Sequence, residues 1–256
     1  LHHADISVTF NPVTGEKFAQ TVMANRDDVK HAIAEASMAQ AMLDVSSTAD
    51  RINMLKQLEQ AILRHSGSIC AAIVAEYGGP VSRAKWISDY AANCFANMAK
   101  VLQDYPFKRR IGASEVIMQG VGVAGLVVPW NSTIGTICSK LSSALAAGCA
   151  SIIKPSELSP LQTLVIAEAL HSAGLPSGVF NILIGRGNEV GEEISQNPDI
   201  AKISFTGSTA TGKLISKMST DSMKRVSLAL SGKSAAIVLH DADFPDAIAK
   251  CVQSAF

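Results

Sequence analysis

The second half of the chain alternates short apolar runs with helical stretches, and this pattern predicts its fold. Continuous apolar strands joined by helices are typical of a parallel sheet that is covered on both faces. The sequence therefore predicts a doubly wound, Rossmann-like α/β fold, which binds ligands at the carboxyl ends of its strands. The predicted strands are 123–128, 151–153, 179–184 and 202–205, with helices near 134–147, 159–173, 187–196 and 209–219. Two later runs, 226–230 and 235–239, extend the sheet or lead out of it.

The first half of the chain is predicted to be mainly helical. Turn formers at 11–16 precede a helix that Asp27 or Asp28 could cap and that ends near residue 43. After Thr48, apolar residues recur at three- and four-residue spacing, and a further helix from about residue 67 ends at Gly78. The segment 104–121 alternates loosely, as a protruding oligomerisation hairpin would. We expect a helical part (1–103) packed on the cofactor domain, this hairpin (104–121) and a dinucleotide-binding sheet (122–256).

Composition and charge narrow the functional classes. Lys and Arg together number 22, as do Asp and Glu, so no charge excess points to nucleic acid or a membrane surface as partner. The basic cluster Lys108-Arg109-Arg110 is short and is interpreted as a solvated turn, and His2-His3 is too small for a metal site. No apolar run is long enough to span a bilayer, and no signal peptide opens the chain. Five scattered cysteines without a C-x-x-C pair favour reduced thiols in the cytoplasm.

One glycine motif looks like a cofactor fingerprint but stands in the wrong place. Residues 120–125 read G-V-G-V-A-G, which fits G-x-G-x-x-G. In the dinucleotide fingerprint those glycines lie between a strand and a helix, so that the pyrophosphate meets the helix N-terminus. Here they precede and enter a predicted strand. We interpret them as glycines of a turn before a tightly packed strand.

Better candidates stand where the predicted strands end. Small or polar residues follow four successive strands, and the parallel arrangement would bring them to one edge of the sheet. Glu157 follows the second strand, where a carboxylate can accept hydrogen bonds from an adenosine ribose. Residues 207–212 open a helix and offer free backbone N–H groups to a phosphate, although a helix cap alone would explain Ser208. These strand-end segments are 129–131, 154–157, 185–187 and 206–208.

Five motifs, taken in order, give the chain a family resemblance. They read N-P-V-T-G-E at 11–16, P-W-N at 129–131, K-P-S-E at 154–157, F-T-G-S-T-A-T-G at 205–212 and L-A-L-S-G-K at 228–233. In content and spacing the sequence resembles the aldehyde dehydrogenase superfamily over essentially its whole length. The resemblance implies NAD as cofactor, with NADP possible, an aldehyde substrate and a homo-oligomer, dimeric or tetrameric, for the full-length protein. The cofactor-binding residues that it implies are Pro129, Trp130, Lys154, Ser156, Glu157, Gly187, Gly191, Gly207, Ser208, Gly212 and Leu230.

The resemblance also implies a reaction and one catalytic residue. In the family a cysteine thiolate attacks the aldehyde, hydride leaves for the nicotinamide, and water hydrolyses the resulting thioester. Asn131 would be the catalytic amide, because the oxyanion formed by the attack needs a donor placed in advance. A glutamate would act as general base for the hydrolysis.

The sequence departs from the family pattern at the residues that perform this chemistry. Where the family reads L-E-L-G-G-K, this chain has Ala229 in place of the general base and Ser231 in place of a glycine. The nucleophilic cysteine and the catalytic domain would follow Phe256, and Cys251 lacks the nucleophile's G-Q-x-C surroundings. Ser132-Thr133 replaces the Phe-Pro of many relatives, so the local pocket differs.

These departures leave two alternatives to a dehydrogenase seen in part. The first is a non-catalytic dinucleotide-binding or structural relative that has lost the general base. The second is an unrelated α/β enzyme that uses the same sheet edge. Glu157 should repel a 2′-phosphate, which favours NAD over NADP, while Lys154 offsets part of that repulsion.

Overall fold

The computed structural model describes residues 5–255, so His2 and His3 lie outside the described part of the chain. It opens with an antiparallel hairpin of β1 (Ile6–Phe10) and β2 (Lys17–Val22), which the sequence pattern did not predict. The expected turn joins the two strands. The side chain of Asn11 accepts backbone N–H bonds from Val13 at 2.8 Å and Thr14 at 3.1 Å, and Gly15 takes a positive φ of 73°.

Four helices follow the first hairpin, as the apolar spacing predicted. The first helix begins with Asn25 as its cap, not Asp27 or Asp28, because Asn25 accepts from the backbone N–H of both aspartates while Asp28 bonds back to the Asn25 backbone. The third helix ends at Gly78, whose φ of 72° suits glycine. The helices are α1 (Arg26–Asp44), α2 (Thr48–Arg64), α3 (Ser66–Tyr77) and α4 (Val81–Asp104).

A second hairpin leads into the sheet. Strands β3 (Lys108–Ile111) and β4 (Ser114–Ile117) pair antiparallel within the segment 104–121. Lys108, Arg109 and Arg110 therefore lie in an exposed strand, and their interpretation as a turn was wrong. Both faces of this two-stranded ribbon are exposed to solvent, so charged residues are tolerated on either face. A role of this hairpin in oligomerisation remains a prediction.

The centre of the molecule is a five-stranded parallel sheet with the order β7-β6-β5-β8-β9. Helix α5 packs against β5 and β6 on one face, while Gly125 of β5 packs against Ile194 of α7 on the other. The predicted doubly wound fold is confirmed. The strands are β5 (Ala124–Val127), β6 (Ser151–Lys154), β7 (Phe180–Ile182), β8 (Lys202–Thr206) and β9 (Arg225–Ala229), and the helices between them are α5 (Thr133–Ala146), α6 (Pro160–His171), α7 (Glu192–Gln196) and α8 (Thr209–Met218).

One detail of this region differs from the sequence-based prediction, and one alternative that the sequence left open is decided. A π-helical turn, Gly187–Gly191, precedes α7 where one continuous helix was expected. The run 235–239 forms no strand; its Ile237 is 80% exposed, because no described strand lies beside it. The chain then enters α9 (Phe244–Ala255). Of the two later apolar runs, the first therefore extends the sheet as β9 and the second leads out of it.

Buried polar bonds join the first helices to the sheet. The Gln40 side chain donates to the Gly148 carbonyl and accepts from the Ala150 N–H, each at 2.8 Å. Arg51 donates to the Ala146 carbonyl at 2.9 Å. Because such buried groups are costly to leave unpaired, these bonds fix α1 and α2 against the loop that leads into β6.

A glycine pair before β7 gives a test of this packing. Gly178 has a φ of 82°, and a Cβ there would stand 2.5 Å from the Glu35 carbonyl oxygen of α1. Gly174 has a similar φ of 71° with open space around it. We expect Gly174→Ala to cost about 1 kcal/mol of unfolding free energy from strain alone, and Gly178→Ala about 3 kcal/mol. Urea unfolding of both variants measures the difference; equal losses would contradict the close approach of α1.

Candidate cofactor site at the carboxyl edge of the sheet

Strand order brings the predicted strand-end segments together. Strand β5 lies at the centre of the sheet, with β6 beside it on one side and β8 on the other. Strands β5, β6 and β7 follow one another toward one edge of the sheet, and the chain then returns to place β8 on the other side of β5. The strand order therefore reverses between β5 and β8, and their carboxyl ends form the switch point of the sheet. Neighbouring parallel strands lie about 4.8 Å apart, so the loops after β6, β5 and β8 share one edge.

The K-P-S-E segment after β6 forms a half-buried ion pair. The Lys154 ammonium donates to Glu157 Oε2 at 3.1 Å and to the Pro155 carbonyl at 3.0 Å. Burial lowers the pKa of Lys154 below its usual value, although the nearby negative charge of Glu157 acts to raise that pKa. Burial works to raise the pKa of Glu157, but the Lys154 charge and hydrogen bonds outweigh it, and the pKa of Glu157 lies below its ordinary value. The two charges therefore stabilise each other against the cost of burial.

Two predicted glycines lie beside this pair. The backbone N–H of Gly187 donates to the Glu157 carboxylate, which helps to lower that pKa. A Cβ on Gly191 would lie 3.7 Å from Lys154 Cδ, so Gly191 covers the lysine stem. Gly187 has open space where a side chain would stand. The structure thus brings Lys154, Glu157, Gly187 and Gly191 together, while the Ser156 hydroxyl bonds locally to the Leu158 N–H.

The loop after β5 is held by one buried hydroxyl. The Thr133 side chain bonds to the carbonyls of Pro129 and Trp130, both at 3.1 Å, and to Ser159 Oγ at 2.8 Å. These bonds connect the loop after β5 with the start of α6. Thr133, one of the departures from the family pattern, is therefore the residue that shapes this loop.

The side chains of that loop face solvent. Trp130 is 52% exposed, with its ring 6.1 Å from that of Tyr77. Asn131 is exposed, and its amide makes no side-chain hydrogen bond within residues 5–255. An amide without an internal partner has its donors free for a ligand.

The segments after β8 and β9 touch each other. The Gly207 N–H donates to the Ala229 carbonyl at 3.1 Å, and a Cβ on Gly212 would stand 2.6 Å from Leu230. Ser208 caps α8 by accepting from the Thr211 N–H at 3.2 Å. That cap explains Ser208 structurally, and it leaves the first N–H groups of α8 open at this edge. Gly207, Ser208, Gly212 and Leu230 therefore form a second group across β5 from the lysine pair.

The rejected glycine motif lies at the opposite end of the sheet. Gly120 and Gly122 precede β5, and a Cβ on Gly120 would stand 2.6 Å from the Gly148 carbonyl oxygen. Gly125 lies inside β5 against Ile194. These glycines permit close packing, as the sequence interpretation held.

A cavity of about 580 Å³ lies on the α5 face of the sheet and reaches Ala229. Its lining includes Lys140 of α5, Lys202 of β8 and Arg225 of β9, none of which the sequence reasoning identified. The one available signal was that Lys140 is the only charged residue of α5. Burial and the charge of Lys202 lower the pKa of Lys140 to about 8.

Burial makes three of the five cysteines poor candidates for a nucleophile. All five are free thiols, and burial raises the pKa of Cys94, Cys138 and Cys149. A buried, protonated thiol is a poor nucleophile. Within residues 5–255, no three His, Cys, Asp or Glu side chains cluster as metal ligands would. None of the described helices combines the length and apolar character needed to cross a bilayer.

The comparisons with known proteins agree on one family. The model of the aldehyde dehydrogenase family matches residues 3–256. The chain is 35% identical over 240 residues to a 3-succinoylsemialdehyde-pyridine dehydrogenase of a Pseudomonas species, a match that covers 93% of this chain and 50% of that protein. The chain thus spans about half the length of the curated relatives that it matches.

Solved structures agree with the sequence relatives. A mutant of aldehyde dehydrogenase C from Pseudomonas syringae, in complex with NAD⁺ and octanal, superposes with a TM-score of 0.97 at 36% identity, over 100% of this chain and 53% of that one. Betaine aldehyde dehydrogenase from Staphylococcus aureus, in complex with NAD⁺, gives 0.94 at 26% identity, over 98% and 52%.

Proposed function

Since this chain belongs to the aldehyde dehydrogenase family, we propose that it is the NAD-binding part of an enzyme that oxidises an aldehyde to a carboxylic acid. The observation that carries the proposal is the charged Lys154–Glu157 pair, 3.1 Å apart at the switch edge of a parallel sheet. Such an edge is where doubly wound sheets bind nucleotides. NAD⁺ in the two solved relatives supports the same cofactor here.

The residues at this edge fit a dinucleotide. Lys154 has three N–H donors, of which two are used within the chain, and Glu157 can accept from ribose hydroxyls. The open space at Gly187 leaves room for an adenosine beside this pair. The open first turn of α8 offers backbone N–H groups to the pyrophosphate. Gly207 and Gly212 would border the phosphates, with Leu230 packed against Gly212 and Pro129 and Trp130 contributing the opposite side.

The chemistry would divide between this chain and other parts of the enzyme. Bound NAD would accept the hydride. Asn131, whose amide is free of internal partners, would donate a hydrogen bond to the oxyanion that forms when a thiolate attacks the aldehyde. The nucleophilic cysteine would come from outside residues 5–255, because none of the five cysteines stands in the G-Q-x-C surroundings of the family's nucleophile and three of them are buried thiols with raised pKa values. The aldehyde itself is proposed only as a class.

Ala229 favours a second candidate function. The methyl group of Ala229 cannot accept a proton, so the residue at the position of the family's general base cannot act as a base in this chain. A relative that binds the dinucleotide without turning over an aldehyde would have the same residues at the other positions. The exposed hairpin β3–β4 would serve oligomerisation in either case.

Formation of NADH separates the two functions. The full-length protein that contains this chain is mixed with NAD and a panel of aliphatic and aromatic aldehydes, and NADH absorbance is followed. The proposal predicts that at least one aldehyde gives NADH in an amount equal to or above the number of active sites, because hydride transfer precedes hydrolysis. A folded protein that binds NAD but forms no NADH with any aldehyde would support the non-catalytic relative.

Glu157 is expected to set the preference between the two dinucleotides. Glu157→Gln removes a charge that would repel a 2′-phosphate while it keeps an acceptor for the ribose. We expect the affinity for NADP relative to NAD to rise about tenfold, since nearby like charges at a partly exposed site interact by a few kcal/mol before salt screening. Calorimetric titration measures both affinities, with the exposed Glu168→Gln of α6 as control. An unchanged ratio would place the ribose away from Glu157.

A further inference from the structure

A buried carboxylate from α3 caps the start of α6. Glu76 is 7% exposed, and its Oε1 accepts the backbone N–H of Leu161 at 2.7 Å. Its Oε2 accepts the backbone N–H of Gln162 at 2.9 Å and the side-chain amide of the same residue at 3.2 Å. None of the ion pairs within residues 5–255 includes Glu76. Burial raises the pKa of Glu76, and the N–H groups and dipole of the first turn of α6 are what favour its charged form.

The residue that would ordinarily cap α6 makes no cap bond. Helix α6 begins at Pro160, and a side chain at the position of Ser159 commonly accepts from the second or third N–H of its helix. Here both of those N–H groups donate to Glu76. The Ser159 hydroxyl instead accepts from the Thr133 hydroxyl at 2.8 Å and donates to the Ser156 carbonyl at 3.2 Å. Glu76 thus leaves Ser159 free for contacts outside α6.

The Ser159 hydroxyl joins two of the strand-end loops. Thr133 bonds to the carbonyls of Pro129 and Trp130, which lie in the loop after β5. Ser156 belongs to the K-P-S-E segment after β6. The two bonds of Ser159 therefore fix the spacing between that loop and that segment. A dinucleotide that contacts both needs this spacing, whereas a mononucleotide held by the K-P-S-E segment alone does not.

We propose that Glu76 is a positioning residue for the dinucleotide: by capping α6 it leaves the Ser159 hydroxyl to hold the two loops at the spacing that NAD requires. The inference rests on the proposed function, because it requires NAD to span both loops. Without the carboxylate, Ser159 stands at the position from which a side chain caps a helix. Its hydroxyl would then turn toward α6 and release Thr133, and the loop after β5 would lose its connection to the K-P-S-E segment.

The affinities of the full-length protein for NAD and for AMP, measured by calorimetric titration, test this role. In Glu76→Gln one amide oxygen replaces two carboxylate oxygens, and the amide nitrogen cannot accept the second backbone N–H. We expect NAD to bind about tenfold more weakly, as for the loss of one charge-assisted hydrogen bond. AMP should bind as it does to the wild type, because the Lys154–Glu157 pair keeps its own bonds. A role that merely stabilises the fold would not separate the two ligands.

Two further variants show whether Glu76 acts through Ser159. Ser159→Ala removes the connecting hydroxyl but keeps the cap, and it should give the same separation of NAD from AMP. The double variant should lose no more NAD affinity than Ser159→Ala alone, because both changes break one connection. Gly178→Ala is the control: it destabilises the fold at the contact with Glu35 of α1, and it should bind NAD as the wild type does.

The outcomes separate this inference from the proposed function. Wild-type NAD affinity in a folded Glu76→Gln protein, equal losses of NAD and AMP, or losses that multiply in the double variant would each overturn the inference alone. If Glu76→Gln does not fold, Glu76→Asp takes its place, because its shorter side chain keeps the charge but moves both oxygens away from the N–H groups of α6. No binding of NAD by the folded wild type would instead overturn the proposed function, and this inference with it.

Discussion

Lys154→Met is expected to weaken NAD binding about 100-fold. Methionine keeps the stem that packs under Gly191 but removes the ammonium, which donates to Glu157 at 3.1 Å. A charge-assisted hydrogen bond contributes about 1.5–3 kcal/mol, and 1.4 kcal/mol is a tenfold change in affinity. Without Lys154 the pKa of Glu157 should also rise, because burial then acts without its opposing charge.

Calorimetric titration of the variant with NAD measures this loss. Lys56→Met, a surface change in α2, serves as the matched control and should bind as the wild type does. Circular dichroism separates a lost site from a lost fold. A folded Lys154→Met protein with wild-type affinity would show that the ribose is not held by the K-P-S-E segment.

Ala229→Glu is expected to raise the steady-state rate of NADH formation about 100-fold at pH 7. The carboxylate would stand at the end of β9 beside Gly207 and could take a proton from the attacking water, which the methyl group of Ala229 cannot. A positioned general base contributes about 100-fold or more.

Ala229→Gln is the control, because glutamine matches glutamate in size but cannot accept the proton. Single-turnover measurement of acyl-enzyme decay isolates the hydrolysis from hydride transfer. Equal rates for the glutamate and glutamine variants would contradict a missing base at position 229 and would favour the non-catalytic relative.

The fold was largely predictable where local sequence and tertiary packing agree. Strands β5 and β6 are short runs buried on both faces, β8 alternates between buried and half-buried residues, and the stripe of α2 faces the core, so periodicity alone located them. The first hairpin was missed because β1 and β2 are short and mostly exposed. The run 235–239 has strand-like composition, yet a strand also needs a neighbour, and periodicity carries no information about that.

The residues of the site likewise fall into two groups, those that a sequence motif contains and those that only the fold brings together. Lys154 and Glu157 are three residues apart, so a single motif contained the pair and its position after a strand gave its place in the fold. Lys140 and Ser204 are 64 residues apart and meet only because α5 lies on the face of the sheet to which the Ser204 side chain points. No short motif joins them. Only the register of β8 and β9 shows that this contact lies next to Ala229.

Titration of the folded full-length protein with NAD in a calorimeter tests the central claim most directly, because every role assigned above requires the cofactor at the carboxyl edge of this sheet. The account predicts saturable binding of one NAD per chain, with weaker binding of NADP. A protein that is folded by circular dichroism and releases or absorbs no binding heat at several temperatures would contradict it.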